Sequence, residues 1–140
     1  MKYFLLAIFA FSFTMQSVLA KKPHEPAPTV FLSYCSHFGT GVSYSFQSCV
    51  NSNFSSVQRE LGGFFSYCMN IGKEVDYSFT SCVNSGFREA QRQLGNNVWL
   101  QDCYNFNRDS LDFSFVSCVN SNFSRISSEI ARNKNEDNLQ

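Results

Sequence analysis

The stretch Ser45-Phe46-Gln47-Ser48-Cys49-Val50-Asn51-Ser52-Asn53-Phe54 occurs three times in this chain with small changes. It returns as Ser78-Phe79-Thr80-Ser81-Cys82-Val83-Asn84-Ser85-Gly86-Phe87, and again as Ser114-Phe115-Val116-Ser117-Cys118-Val119-Asn120-Ser121-Asn122-Phe123. Chance does not produce matches of this length, so the chain is read as a repeat before any local assignment is made. Upstream of each block lies a weaker match: Phe31-Leu32-Ser33-Tyr34-Cys35, Phe64-Phe65-Ser66-Tyr67-Cys68 and Trp99-Leu100-Gln101-Asp102-Cys103. A large apolar residue, Phe38, Ile71 or Phe106, stands three positions past each of these cysteines. The copies are offset by 33 residues and then by 35 to 36.

The quoted block opens a long amphipathic helix. Phe46, Val50, Phe54, Val57 and Leu61 fall on one stripe of a 3.6-residue period, as do Phe79, Val83, Phe87, Ala90 and Leu94, and Phe115, Val119, Phe123, Ile126 and Ile130. Ser43, Asp76 and Asp112 stand just before the three stripes, where a side-chain oxygen can accept from an unpaired backbone N–H. Gly62-Gly63 and Gly95-Asn96-Asn97 are the stop signals of the first two. The weaker segment, about Val30 to Phe38 and its equivalents, is an aromatic run that periodicity alone leaves between strand and helix. Its three-residue cysteine-to-apolar spacing predicts a short helix. Each unit is therefore expected to be a helical hairpin that turns at Gly39-Thr40-Gly41, Gly72-Lys73-Glu74 or Asn107-Arg108-Asp109.

Six cysteines permit fifteen pairings, and repetition narrows them. Within the units, 13, 13 and 14 residues separate the two cysteines. Joining Cys35 to Cys49, Cys68 to Cys82 and Cys103 to Cys118 uses every copy identically, whereas pairing across units strands Cys35 and Cys118. Closing a loop of about 15 residues contributes roughly 3 kcal/mol. Structural zinc sites favour closely spaced cysteine pairs and redox dithiols favour C-x-x-C; neither spacing occurs, and no cofactor or metal is expected. The spacing also departs from the insect odorant-binding pattern, which has two cysteines three residues apart, and from twin C-x9-C hairpins, which carry two cysteines on each helix.

Composition narrows the function classes. The 140 residues carry 11 basic and 11 acidic side chains, so there is no basic field for nucleic acid. The aromatic content of 16% excludes a disordered chain. Residues 1–20 read as a signal peptide: Lys2, an apolar run from Tyr3 to Phe13, and a cleavage pattern at Val18-Leu19-Ala20. That run is too short to span a bilayer, which takes about 20 apolar residues. The expected destination is secreted or periplasmic, an oxidising setting in which disulfides persist. Residues 21–28 read as a flexible leader, 29–132 as the three-unit domain (29–61, 62–94 and 97–132), and 133–140 as a disordered polar tail.

With two histidines, catalytic constellations are scarce. His37 lies two residues from Cys35, but a Cys-His pair needs a free thiolate and fails if Cys35 is bridged. His24 falls in the leader. Glu60, Glu89 and Glu129 are expected on solvated helix faces beside Arg59, Arg88, Arg125 and Arg132. Asn53-Phe54-Ser55 and Asn122-Phe123-Ser124 match the glycosylation acceptor, yet both asparagines project toward the apolar side and are read as a close helix contact.

One set repeats without being needed for a core. Tyr44 and Asn51 share a helix face, as do Tyr77 with Asn84 and Phe113 with Asn120. Stacked hairpins would align them either as contacts between neighbouring units or as an aromatic and amide ladder for an extended ligand. The sequence thus implies an all-α exported protein that binds an extracytoplasmic protein or other ligand without catalysis. The alternative is a membrane-active helical toxin, against which the neutral charge argues.

Overall fold

The computed structural model describes residues 30–95 and 98–137; the expected signal peptide and leader lie outside them. Three helices follow one another: α1 (Tyr44–Leu61), α2 (Tyr77–Leu94) and α3 (Phe113–Asp137). Every pair of them is in contact. Phe46 meets both Phe79 and Phe115 at ring centroid distances of 6.4 Å. Two turns later Phe54, Phe87 and Phe123 meet one another at 5.1–5.3 Å, edge to face. Since equal positions meet at both levels, the helices run parallel around one axis. Val50, Val83 and Val119 lie between the two phenylalanine layers in sequence, and all three are fully buried. Edge-on aromatic pairs add about 0.5–1.5 kcal/mol each beyond the area they bury.

Helix starts follow the chemistry of the flanking residues. The Ser43 hydroxyl accepts from Phe46 N–H, and the Asp76 carboxylate accepts from Ser78 N–H. Asp112 behaves differently. Its Oδ2 accepts from the backbone N–H of Phe106 and Asn107, so the expected cap holds the preceding loop instead. Gly62 ends α1 and Gly95 ends α2 with φ of 73° and 81°, a region where a side chain would be strained. α3 carries past Asn133 to Asp137, and Lys134 on it pairs with Glu60 of α1 at 2.6 Å, so residues 133–137 are helix rather than loose tail.

The expected short helices do not form. Residues 30–38, 64–71 and 98–106 carry no helix, and Phe38, Ile71 and Phe106, whose spacing suggested one, project into solvent. The reason is the parallel arrangement. An 18-residue helix rises about 27 Å, and the chain must return that distance before starting the next. An extended chain covers it in roughly eight or nine residues, half the number a helix would need. Among the described residues there is no strand, only an isolated parallel bridge between Gly41 and Ser110.

All six cysteines are paired: Cys35–Cys49, Cys68–Cys82 and Cys103–Cys118, with Cα separations of 5.5, 5.5 and 5.6 Å. Each bridge ties an extended segment to the helix that follows it. Disulfides at this density are typical of extracellular proteins. Among the described residues no helix is long and apolar enough to cross a membrane.

Candidate binding surface

The extended segments have no strand neighbour, so their backbone groups need other partners. Carboxamides provide them. Asn51 on α1 accepts from Cys68 N–H and donates to Cys68 C=O, both at 2.8 Å. Asn84 on α2 does the same to Cys103 at 2.7 and 2.8 Å, and Asn120 on α3 to Cys35 at 2.7 and 2.9 Å. A side-chain carboxamide carries the donor and acceptor of a peptide group, which makes it a fitting partner for one. The order is cyclic: unit one holds unit two, two holds three, and three holds one. The stacked hairpins expected to align the Tyr/Asn ladder are replaced by a closed ring.

A second set works within a unit. Asn53 pairs with the N–H and C=O of Ser33 at 2.9 and 2.8 Å, and Asn122 with those of Gln101 at 3.1 and 2.8 Å. These asparagines are buried as the sequence suggested, but against an extended segment and not a helix; burial also removes them as glycan acceptors in the folded chain. Gln47 accepts from Asn70 N–H and Gln91 from Leu100 N–H, two clamps that sequence reasoning missed.

The six residues proposed as a ladder therefore separate. Asn51, Asn84 and Asn120 are at most 9% exposed and spent on internal bonds, while Tyr44, Tyr77 and Phe113 are 80–84% exposed. The three aromatics start their helices, at the end where the loops meet. Val75 N–H donates to Arg108 C=O, Gly41 N–H to Asp109 C=O, and a Cβ at Gly41 (φ +67°) would collide with the Lys73 carbonyl. Exposed Phe38, Ile71 and Phe106 belong to the same loops. The result is an aromatic crown around one pole of the bundle.

Inside the crown, one position differs between units. Two residues after the first cysteine, Asn70 accepts from Asp76 N–H and Asn105 from Asp112 N–H, each at 2.6 Å, and both donate to loop carbonyls. Unit one has His37 there. Its Nδ1 takes the equivalent bond from Ser43 N–H at 3.4 Å, its ring packs edge-on against Phe46, and its buried Nε2 finds no partner among the described residues. Comparing the copies at this offset would have exposed the shared role. Burial lowers the His37 pKa below 6.5, outweighing the opposite pull of the Gly39 backbone. Because the unfolded chain binds a proton that the folded one disfavours, this histidine's contribution is complete above pH 6.5 and is lost as the pH falls from there toward the folded pKa. Denaturant titrations between pH 7.5 and 5 should show this loss, and His37→Asn, which supplies the carboxamide of the other two units, should abolish it.

The acids are also placed differently from the expectation. Glu89 and Glu129 are 17% and 11% exposed at the side chain and pair with Arg92 and Arg132 one turn on. Hydrogen bonds from Arg92 and Gln93 hold the Glu89 carboxyl down at about 2. Arg88 reaches Asp102 at 3.2 Å, while Arg125 donates to the Trp99 carbonyl, so both fasten the return segment. Cys35 is bridged, which removes the Cys-His pair; among the described residues no group of three His, Cys, Asp or Glu is placed to hold a metal ion. The crown loops offer apolar and aromatic contact beside the exposed charges of Lys73, Glu74, Arg108 and Asp109. The chain matches no protein family, no curated protein and no solved structure.

Proposed function

We propose that this is an exported, non-catalytic binding protein whose aromatic crown engages an extracytoplasmic protein. The observation that carries the reading is the exposure of complete three-unit sets of large apolar side chains, Tyr44, Tyr77 and Phe113 with Phe38, Ile71 and Phe106. Single exposed apolar residues are ordinary, but grouped aromatic side chains mark interaction sites and supply most interface hot spots. The rigid bundle supports this economy, because helix starts locked by disulfides and carboxamide clamps lose little entropy on binding. Three related positions around an axis would also favour a partner with repeated or symmetric features.

The test is capture and substitution. Photo-crosslinking from position 113 in exported material identifies the partner, and Tyr44→Ala/Tyr77→Ala/Phe113→Ala should then weaken its binding by about 30-fold or more, the scale of 2 kcal/mol. Helical content and melting temperature should stay unchanged, since the three rings are outside the core. Unaltered affinity would remove the crown from the interface. The apolar loop tips favour one other reading, insertion into a lipid surface; leakage of neutral vesicles by the wild type but not by Phe38→Ser/Ile71→Ser/Phe106→Ser would replace the protein partner with a membrane.

A further inference from the structure

The carboxamide clamp within the unit is present twice and missing once. Asn53 and Asn122 close units one and three on Ser33 and Gln101, but unit two has Gly86 at that helix position. The backbone it would have held is nevertheless in the same place. The Ser33 carbonyl oxygen lies 3.7 and 3.8 Å from the two sulfurs of its disulfide, and that of Ser66 lies 3.7 and 3.9 Å from those of Cys68 and Cys82. A disulfide sulfur has no proton to donate. Among the described residues the Ser66 peptide group therefore presents an N–H and a C=O without a side-chain partner.

Beside it opens a cavity of about 490 Å³, bounded by Phe64, Ser66, Tyr77, Ser81, Ser85 and Gly86. The chain cannot fill this space from its own helix. A Cβ at Gly86 would lie 2.5 Å from Cζ of Phe54, whose ring stacks on Phe65 at 5.6 Å. Units one and three have the smaller Leu32 and Leu100 where unit two has Phe65. The larger apolar residue and the lost carboxamide are two sides of one exchange of volume, and the exchange leaves the peptide group reachable from solvent.

We infer that this cavity binds the carboxamide side chain of an asparagine or glutamine on an extended segment of a partner protein. The carboxamide oxygen accepts from Ser66 N–H and its NH2 donates to Ser66 C=O, the pairing that Asn53 and Asn122 make internally. Phe64 and Tyr77 flank the segment, and the hydroxyls of Ser81 and Ser85 face its polar groups. This names the partner chemistry within the binding reading above. It shares only Tyr77 with the crown, so the two can fail separately.

The test uses the oxidised full-length protein, 15N-labelled, titrated with tripeptides blocked at both ends that carry Asn, Gln, Asp or Leu at the centre. The Ser66 amide resonance should shift and saturate with the Asn and Gln peptides, at concentrations about tenfold below any response to Leu or Asp. Phe65→Leu/Gly86→Asn, which gives unit two the residues of unit one, should abolish the response by supplying the carboxamide from within. Ser85→Trp, at an exposed helix position, should abolish it by filling the cavity without touching the core. Tyr44→Ala/Phe113→Ala should leave it intact. Equal response to Leu and Asn, no response to any peptide, or a response that survives Ser85→Trp would overturn the assignment, even with the crown intact as a binding surface.

Discussion

Reducing the three disulfides is expected to unfold this protein at ordinary temperature. Each bridge closes a loop of 14 or 15 residues, worth roughly 3 kcal/mol in the chain-entropy account. Three together match the net stability of a typical domain, about 5–15 kcal/mol. Apart from the carboxamide clamps the return segments gain little from regular structure: among the described residues they have no strand pairing, and their Tyr34, Tyr67 and Trp99 side chains are exposed. Circular dichroism after reduction and alkylation should lose the helical signal, and replacing one pair, Cys68→Ala/Cys82→Ala, should lower stability by about 3 kcal/mol in urea. Native helicity in fully alkylated protein would show that the parallel bundle stands without its staples.

The second large effect is expected from Asn120→Ala. This residue joins the last unit to the first across 85 positions of sequence, and it is fixed at both ends: it holds Cys35 N–H and C=O and donates to Val116 C=O on its own helix. Cys35 is fully buried, so truncation leaves a donor and an acceptor without partners or water. At about 1–3 kcal/mol for each stranded group, the loss is roughly 3 kcal/mol or more. Because the ring then opens between units three and one, amides near Cys35 should lose hydrogen-exchange protection first. Asn120→Asp separates hydrogen bonding from packing. Its carboxylate keeps the acceptor and loses the donor at neutral pH, then regains a donor on protonation, so its stability deficit should shrink in acid. A deficit that ignores pH would assign the effect to packing alone.

How far the fold could be read in advance differs by residue. The stripe from Phe46 to Leu61 was legible because helical burial imposes its own period, and the cysteine pairing because three copies leave one pairing that treats them alike. The aromatic run around Phe31 was not. Nine residues with a large apolar side chain near each end satisfy a helix or an extended chain, and the length of the path between parallel helices makes the choice. The asparagines were legible as a repeated set, read beside the aromatics as a ladder or a contact between units, but not as clamps on the backbone. Asn costs up to about 0.7 kcal/mol relative to Ala inside a helix, so three at one register call for compensation, yet a helical wheel cannot show what lies across from them.

The candidate surface divides along the same line. That Tyr44, Tyr77 and Phe113 stand off the core stripe follows from 100° of rotation per residue, and no fold was needed to see it. That Asn51, Asn84 and Asn120 turn inward, that Gly86 leaves a peptide group uncovered, and that His37 stands against Phe46 where the other units have an asparagine depend on segments distant in sequence meeting side by side. Local periodicity and symmetry between copies act within or between identical pieces of chain, so the sequence alone determined the helices and their bridges. Closure of the ring pairs each carboxamide with the backbone of a different unit, an arrangement of minimum free energy for the whole molecule, and only the tertiary structure decided it.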